Sequence, residues 1–143
     1  MSFSAKTEYG LVALIELAAA HATGERMQTG EICRRHGMPE RYLEQMLTAL
    51  RKSGYLVSVR GPKGGYQLTR SPELITVAEV EECLEGDART ERQGDRGSAE
   101  FKVLDRLSRR AERARRAVLQ DITLAQLLLE RDGLLQPTPM FYI

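Results

Sequence analysis

The sequence predicts a mainly α-helical fold with one small β-hairpin and a long helix towards its C-terminal end. Three observations predict this fold class. Apolar residues recur at spacings of three and four over most of the chain, which is the pattern of one helix face. The spacing changes to two around residues 55–69, on both sides of a Gly- and Pro-rich stretch. Apolar and alanine residues then repeat in coiled-coil-like steps between residues 104 and 118.

The first third of the chain predicts three helices. The first covers residues 4–22, with Ser4 as its N-cap. The second is short, covers residues 29–36 and ends at Gly37, which allows a tight turn. The third covers residues 39–52 and has proline at its first helical position. Its inner face is apolar, so we expect it to dock on the other two helices.

Two short strands follow and form the predicted hairpin. They cover residues 55–60 and 65–69, and a Gly- and Pro-rich turn at residues 61–64 joins them. Thr76 then caps a short helix over residues 77–84, whose apolar residues share one face.

A polar loop over residues 86–98 precedes the long helix, which covers residues 99–120. This helix carries a seam whose alanines would let a partner helix approach closely. The seam consists of Phe101, Leu104, Leu107, Ala111, Ala114 and Val118. A last short helix over residues 124–130 and a Pro-containing tail complete the prediction.

The formal net charge of +1 over 143 residues hides a strong segregation of charge. Residues 30–70 carry a net charge of +5, residues 71–100 carry −6 and residues 101–120 carry +5. The two ends are weakly acidic, at −1 for residues 1–29 and −2 for residues 121–143. Blocks of alternating sign indicate that separate faces meet separate partners.

Cysteine usage and the N-terminal sequence exclude several classes of protein. Cys33 and Cys83 are the two cysteines and form no Cys-x-x-Cys pair, which excludes a disulfide-rich secreted scaffold and a four-cysteine zinc site. The first residues lack the apolar region of a signal peptide. The stretch Leu11–Ala20 contains Glu16 and is too short to span a bilayer. We therefore expect a soluble, cytoplasmic protein with no membrane partner.

The sequence shows no arrangement typical of an active site. It has no P-loop, no His-Glu-x-x-His and no recognisable Ser/His/Asp or Cys/His set. His21 and His36 lie at predicted helix ends without metal-ligand spacing. We expect a protein that is not an enzyme and has no metal site and no cofactor.

A short helix, a glycine turn, a second helix and a β-hairpin together predict a winged helix-turn-helix. A DNA major groove is about 12 Å wide and admits one helix. On the outer face of the third helix, Gln45 suits an adenine edge, Arg41 a guanine edge or a phosphate, and Glu44 a cytosine amine. Arg60 and Lys63 place two cations on the compact wing, which can follow the backbone or enter a minor groove.

Five stretches of the chain resemble the Rrf2 family of bacterial winged-helix transcription regulators. They are SAKTEYGLVAL from Ser4, PERYLEQML from Pro39, LRKSGYLV from Leu50, VRGPKGGYQL from Val59 and ITVAEV from Ile75. The wing motif from Val59 is the most specific of them. The match is dense over residues 1–86 and looser to about Leu128.

The resemblance implies a homodimer that binds a partly palindromic operator in double-stranded DNA, and we expect the protein to act as a repressor. The residues it places at DNA are Ser4, Lys6, Tyr9, Glu40, Arg41, Tyr42, Glu44, Gln45, Arg60, Lys63 and Gly64. Ser4, Lys6 and Tyr9 would anchor phosphates at the start of the first helix. The expected organisation is a DNA-binding domain over residues 1–85, a degenerate sensor loop over residues 86–98, and a dimerisation helix with tail over residues 99–143.

One departure from the family pattern concerns the signal that the protein senses. Many members hold an iron–sulfur cluster through three cysteines in the loop before the long helix, and here Thr90 and Arg96 stand at two of those places. We therefore expect no cluster in this chain, because such clusters depend on thiolate ligands. A small ligand, a partner protein or oxidation of Cys83 would then carry the signal.

Two alternative functions remain open from the sequence. The first is an iron–sulfur or thiol-based redox sensor with unusual ligands. The second is a protein-interaction scaffold that no longer binds DNA, against which the basic wing argues. The basic run between Arg109 and Arg116 is expected to solvate the long helix or to pair with the acidic block at residues 71–100.

Overall fold

The computed structural model describes residues 3–86 and 96–136. Within them, helices and one two-stranded antiparallel sheet follow the predicted order, which confirms the mainly α fold with a small hairpin. The elements are α1 (Ala5–His21), α2 (Thr29–His36), α3 (Glu40–Lys52), β1 (Leu56–Val59), β2 (Gly65–Leu68), a 3-10 turn (Pro72–Leu74), α4 (Val77–Glu85), α5 (Ala99–Gln120) and α6 (Leu124–Leu135).

A single apolar cluster holds α1, α3 and α4 together with the ends of the other elements. Leu14 and Leu17 on α1 meet Leu43 and Leu47 on α3, and each is at most 1% exposed. Burying a leucine side chain stabilises a fold by roughly 1.5–3 kcal/mol. This cluster therefore fixes how α3 sits on the rest of the domain.

The turn between α2 and α3 is tight because Gly37 adopts φ +66°, in the left-handed region that glycine enters at low cost. The next helix begins at Glu40, and Pro39 is its N-cap rather than its first residue. The predicted start of the third helix was therefore one residue early. Pro39 suits the cap position because its backbone is extended there, and because its missing backbone N–H would not take part in the hydrogen bonds within α3.

The hairpin pairs Leu56 with Leu68 and Val59 with Gly65. Tyr66 in β2 also exchanges two backbone hydrogen bonds with Met27, at 2.8 and 3.1 Å between nitrogen and oxygen. Gly65 makes this approach possible, because its φ is +140° and a Cβ there would lie 2.5 Å from the Met27 carbonyl oxygen. The hairpin is thus bonded to the loop that precedes α2.

The chain after α5 returns to the N-terminal half of the molecule. Leu124 at the start of α6 is fully buried, and its N–H donates to the Ile75 carbonyl at 2.9 Å. The predicted last helix ended at Glu130, which was wrong by five residues because α6 continues to Leu135. Among the helices that the structure describes, none is long and apolar enough to cross a membrane.

Candidate nucleic-acid interface

The outer face of α3 presents a row of polar side chains to solvent. Glu40, Arg41, Glu44 and Gln45 are all exposed, whereas the opposite face of α3 is buried in the core. The division follows from the sequence, since the polar and apolar positions alternate with the helical period. Four of the five side chains predicted to reach DNA from this helix therefore share one accessible surface.

Tyr66 on the hairpin reaches α3 from the side. Its hydroxyl donates to the Glu44 carboxylate, with 3.4 Å between the oxygens. Burial and the negative charge of Glu44 raise the pKa of the Tyr66 hydroxyl, so it stays protonated and able to donate. The contact links the hairpin to α3, and it was missed in the sequence analysis although Tyr66 lies in the wing motif.

The tip of the wing presents two exposed cations, Arg60 and Lys63. Gly64 beside them is buried, and its N–H donates to the Gly61 carbonyl at 2.9 Å. A Cβ on Gly64 would lie 2.3 Å from the Val59 carbonyl oxygen. Gly64 therefore shapes the turn, and its N–H is used inside it.

Tyr42 on α3 is half-buried and packs edge-on against Tyr9 of α1, with ring centroids 5.4 Å apart at 88°. Such T-shaped pairs stabilise by about 0.5–1.5 kcal/mol beyond their buried area. The pair fixes the entry of α3 against α1. Both residues were predicted as DNA contacts, and the structure brings them together at the junction of the two helices.

The start of α1 already holds a carboxylate. Ser4 caps the helix and donates to Glu85 of α4, and the Thr7 hydroxyl donates to the same Glu85 oxygen at 2.7 Å. These two hydrogen bonds lower the pKa of the Glu85 carboxyl. Lys6 is exposed beside them. Sequence reasoning missed Glu85, and no local signal pointed to a contact with residues so distant along the chain.

The side chains of the predicted dimerisation seam are exposed to solvent in the single chain. Phe101, Leu104, Leu107 and Val118 are 40–60% exposed, and Ala111 and Ala114 between them are exposed as well. Apolar side chains at heptad spacing on an uncovered helix are typical of a helix that pairs with another.

Two arginines of the basic run pair with the acidic block. Arg115 on α5 forms a bidentate ion pair with Glu81 on α4, and Arg116 bonds Glu82 at 3.0 Å. The Arg115 guanidinium also lies 5.6 Å from the centroid of the Phe3 ring. These pairs attach the end of α5 to α4.

The residues of this chain do not fit an iron–sulfur cluster held by three thiolates, because the chain has two cysteines. Cys33 is buried in α2, and burial together with the charges of Glu40 and Glu44 raises the pKa of its thiol. Cys83 on α4 donates to the Ser53 hydroxyl at 3.1 Å. No group of three His, Cys, Asp or Glu side chains in residues 3–86 and 96–136 is placed to hold a metal ion.

Arg96 has other partners at the place of a family cysteine. It bonds Asp105 at 2.6 Å, and its guanidinium lies 4.7 Å from the centroid of the Phe101 ring. Thr90, the other substituted position, lies outside the described residues.

An exposed recognition helix beside a two-stranded wing defines the class of winged helix-turn-helix proteins. The family model for Rrf2, described as an iron-dependent transcriptional regulator, matches residues 3–130. The chain belongs to the Rrf2 family.

Relatives share different lengths of the chain. It is 35% identical to the HTH-type transcriptional regulator CymR of Bacillus subtilis over 144 residues, which covers all of both chains. It is 42% identical over 86 residues to the HTH-type transcriptional regulator IscR of Cereibacter sphaeroides, covering 59% of this chain and 56% of that protein. It also spans 59% of the Azotobacter vinelandii regulator ORF2.

Solved structures agree with the fold over nearly the whole chain. The structure of T. potens IscR superposes with a TM-score of 0.81 at 31% identity, covering 99% of this chain and 97% of that one. The CymR (YrzC) structure from B. subtilis, titled as the global cysteine regulator, gives a TM-score of 0.74 at 32% identity and covers 91% and 98% of the two chains.

Proposed function

We propose that this protein is a sequence-specific DNA-binding transcriptional repressor that acts in the cytoplasm as a homodimer on a partly palindromic operator. The observation that carries the proposal is the exposed polar face of α3 with the cationic wing tip beside it. CymR of Bacillus subtilis, which this chain matches over its full length, is named as an HTH-type transcriptional regulator, and this supports the same function.

Two kinds of side chain on this surface suit the two parts of DNA recognition. Gln45 and Arg41 carry forked or paired hydrogen-bonding groups that suit base edges, and both are exposed on α3. Arg60 and Lys63 on the wing suit the phosphate backbone, whose contacts supply affinity without reading sequence.

The homodimer is supported by the exposed seam on α5. Pairing of two such helices would cover the apolar side chains, and a two-fold dimer would present two recognition helices to the two halves of an operator. We assign the seam to a second copy of this chain because its heptad spacing is that of helix-to-helix pairing.

Selection of genomic DNA fragments by the purified protein tests the proposal. We expect one enriched, partly palindromic motif whose half-sites lie about one helical turn apart or a multiple of it. The bound motif should lose affinity steeply as salt rises, because phosphate contacts release counterions. A protein that enriches no motif and binds no duplex in low salt would instead be an interaction scaffold.

Anaerobic reconstitution with iron and sulfide tests the expected lack of a cluster. The purified chain should gain no visible absorbance band and no stoichiometric iron. A band with matching iron and sulfide would support the redox-sensing alternative, with ligands of an unusual kind or from both protomers.

A further inference from the structure

A charged cluster that DNA recognition does not use lies between α1, α2 and α6. At its centre is Glu16, a carboxylate on α1 whose side chain is 9% exposed. One of its oxygens accepts from Arg35 at 2.7 Å, and the other lies 3.2 Å from the His36 ring nitrogen Nε2 and 3.7 Å from Arg131. Three groups from two other helices therefore converge on one buried carboxylate.

The partners of Glu16 come from two separate parts of the chain. Arg35 and His36 are the last residues of α2, directly before the Gly37 turn that leads into the recognition helix. Arg131 comes from α6, which follows the predicted dimerisation helix in the chain. Glu16 thus touches both the helix that precedes the recognition helix and the C-terminal part of the protein.

A carboxylate withdrawn from water depends on the positive groups around it. Loss of one partner from a buried ion pair leaves an uncompensated charge, and the remaining groups move to meet it or to reach water. If Arg131 moves with α6, Arg35 and His36 become the remaining partners of Glu16. Because both residues end α2, a shift of their side chains would be passed to the Gly37 turn that leads into α3.

We propose that Glu16 is a positioning residue that couples the placement of α6 to the orientation of α2 and α3, and so to operator affinity. The inference rests on the proposed DNA-binding function. A change at the C-terminal part of the protein, made by a ligand or a partner, would reach the recognition helix through this carboxylate. Coupling between sites through such networks commonly changes affinity by about 2- to 30-fold.

The test compares two arginine variants that remove the same charge. Arg131→Gln removes the α6 leg of the cluster, and Arg116→Gln removes an exposed ion pair between α5 and α4 that does not touch Glu16. Both are measured for operator affinity, for affinity to unrelated duplex DNA, for dimer dissociation and for thermal unfolding. Work at a temperature where both variants are folded separates affinity from stability.

We expect Arg131→Gln to weaken operator binding by about 2- to 30-fold while the affinity for unrelated DNA and the salt dependence stay unchanged. Arg116→Gln should match the wild type, and Arg131→Lys should recover part of the loss. A Glu16→Gln, Arg131→Gln double variant should lose less than the sum of the two single variants.

Equal operator affinities of Arg131→Gln and Arg116→Gln would overturn the coupling. So would an equal loss on operator and unrelated DNA, which marks a plain charge effect. A wild-type protein that binds no operator would instead overturn the proposed function, so the two failures are distinguishable.

Discussion

The Thr7 hydroxyl on α1 donates a 2.7 Å hydrogen bond to Glu85 on α4, and Ser4 donates to the same oxygen. A carboxylate at a helix N-terminus also interacts favourably with the helix dipole. The start of α1 was predicted to anchor a DNA phosphate. Because the Ser4 hydroxyl already donates its hydrogen bond to Glu85, we expect the exposed Lys6 to supply the phosphate contact at the start of α1.

Glu85 should make stability depend on pH in the acid range. Its pKa is lowered in the folded protein, so its contribution is fully present above the unfolded carboxyl pKa of about 4.3 and is lost as the pH falls through the folded value. Glu85→Gln should therefore show a flatter decline of the urea midpoint from pH 5.5 to pH 3. An exposed carboxylate, Glu73, supplies the control variant Glu73→Gln. Parallel declines in Glu85→Gln and wild type would contradict the prediction.

Gln45→Ala should weaken binding to the preferred operator by roughly 1–3 kcal/mol and relax specificity at one base pair. The reason is that a glutamine amide can bond an adenine edge twice, and alanine cannot. The measurement is a fluorescence anisotropy titration against the operator and its single-base variants. Lys63→Ala is the comparison, because a phosphate contact should weaken binding to all sequences alike and reduce the salt slope by about one.

Arg60→Ala distinguishes two positions of the wing. If Arg60 enters a minor groove, the loss should be concentrated on operators with A·T-rich flanks, where that groove is narrow and most negative. The measurement is binding to operators that differ in the flanks alone. An equal loss on every flank would make Arg60 a backbone contact.

Leu107→Asp should dissociate the dimer without unfolding the chain. Leu107 is 60% exposed in the single chain, so its loss removes no core contact, whereas a charge in a paired seam would be buried. Arg109 lies two residues further along α5, about 200° around the helix, so Arg109→Asp serves as the control on the opposite face. Sedimentation velocity should show a monomer for the first variant and a dimer for the second. A dimer in both would place the interface elsewhere.

Gly65→Ala should destabilise the hairpin more than Gly24→Ala destabilises its loop. Both glycines have positive φ, but a Cβ at Gly24 meets nothing within 4 Å, whereas one at Gly65 lies 2.5 Å from the Met27 carbonyl oxygen. The difference combines the close approach at Gly65 with its less favourable φ of +140°, and overpacking alone costs about 1–3 kcal/mol. Urea unfolding of the two variants measures it, and equal midpoints would contradict the role assigned to Gly65.

Local signals predicted much of the fold. Periodicity placed α1, α2 and α5 closely, and Ser4 was correctly predicted as the N-cap of α1. The end of α6 was missed because Gly133, a poor helix former, interrupts the apolar pattern. The α6 helix is stabilised by Leu127 and Leu128, which pack against a core formed by residues distant in sequence.

The exposed residues of the candidate site were predicted from the sequence, whereas the side-chain contacts that hold its elements together were missed. Exposed α3 residues follow from helix periodicity alone. Contacts such as Thr7 with Glu85 and Tyr66 with Glu44 join residues 78 and 22 positions apart. They arise when the core sets two elements side by side, so no short stretch of sequence reports them.

The bonds between Tyr66 and Met27 have a consequence for the geometry of an operator. They join the hairpin to the segment before α2, and the Tyr66 hydroxyl bonds Glu44 on α3, so the hairpin, α2 and α3 form one connected head. In a dimer, the separation of two such heads depends on the register of α5. One inserted heptad would lengthen that helix by about 10 Å, a large part of the roughly 34 Å between successive major grooves. In the proposed dimer, the length of α5 would therefore set the spacing of the half-sites, although none of its seam residues needs to touch a base.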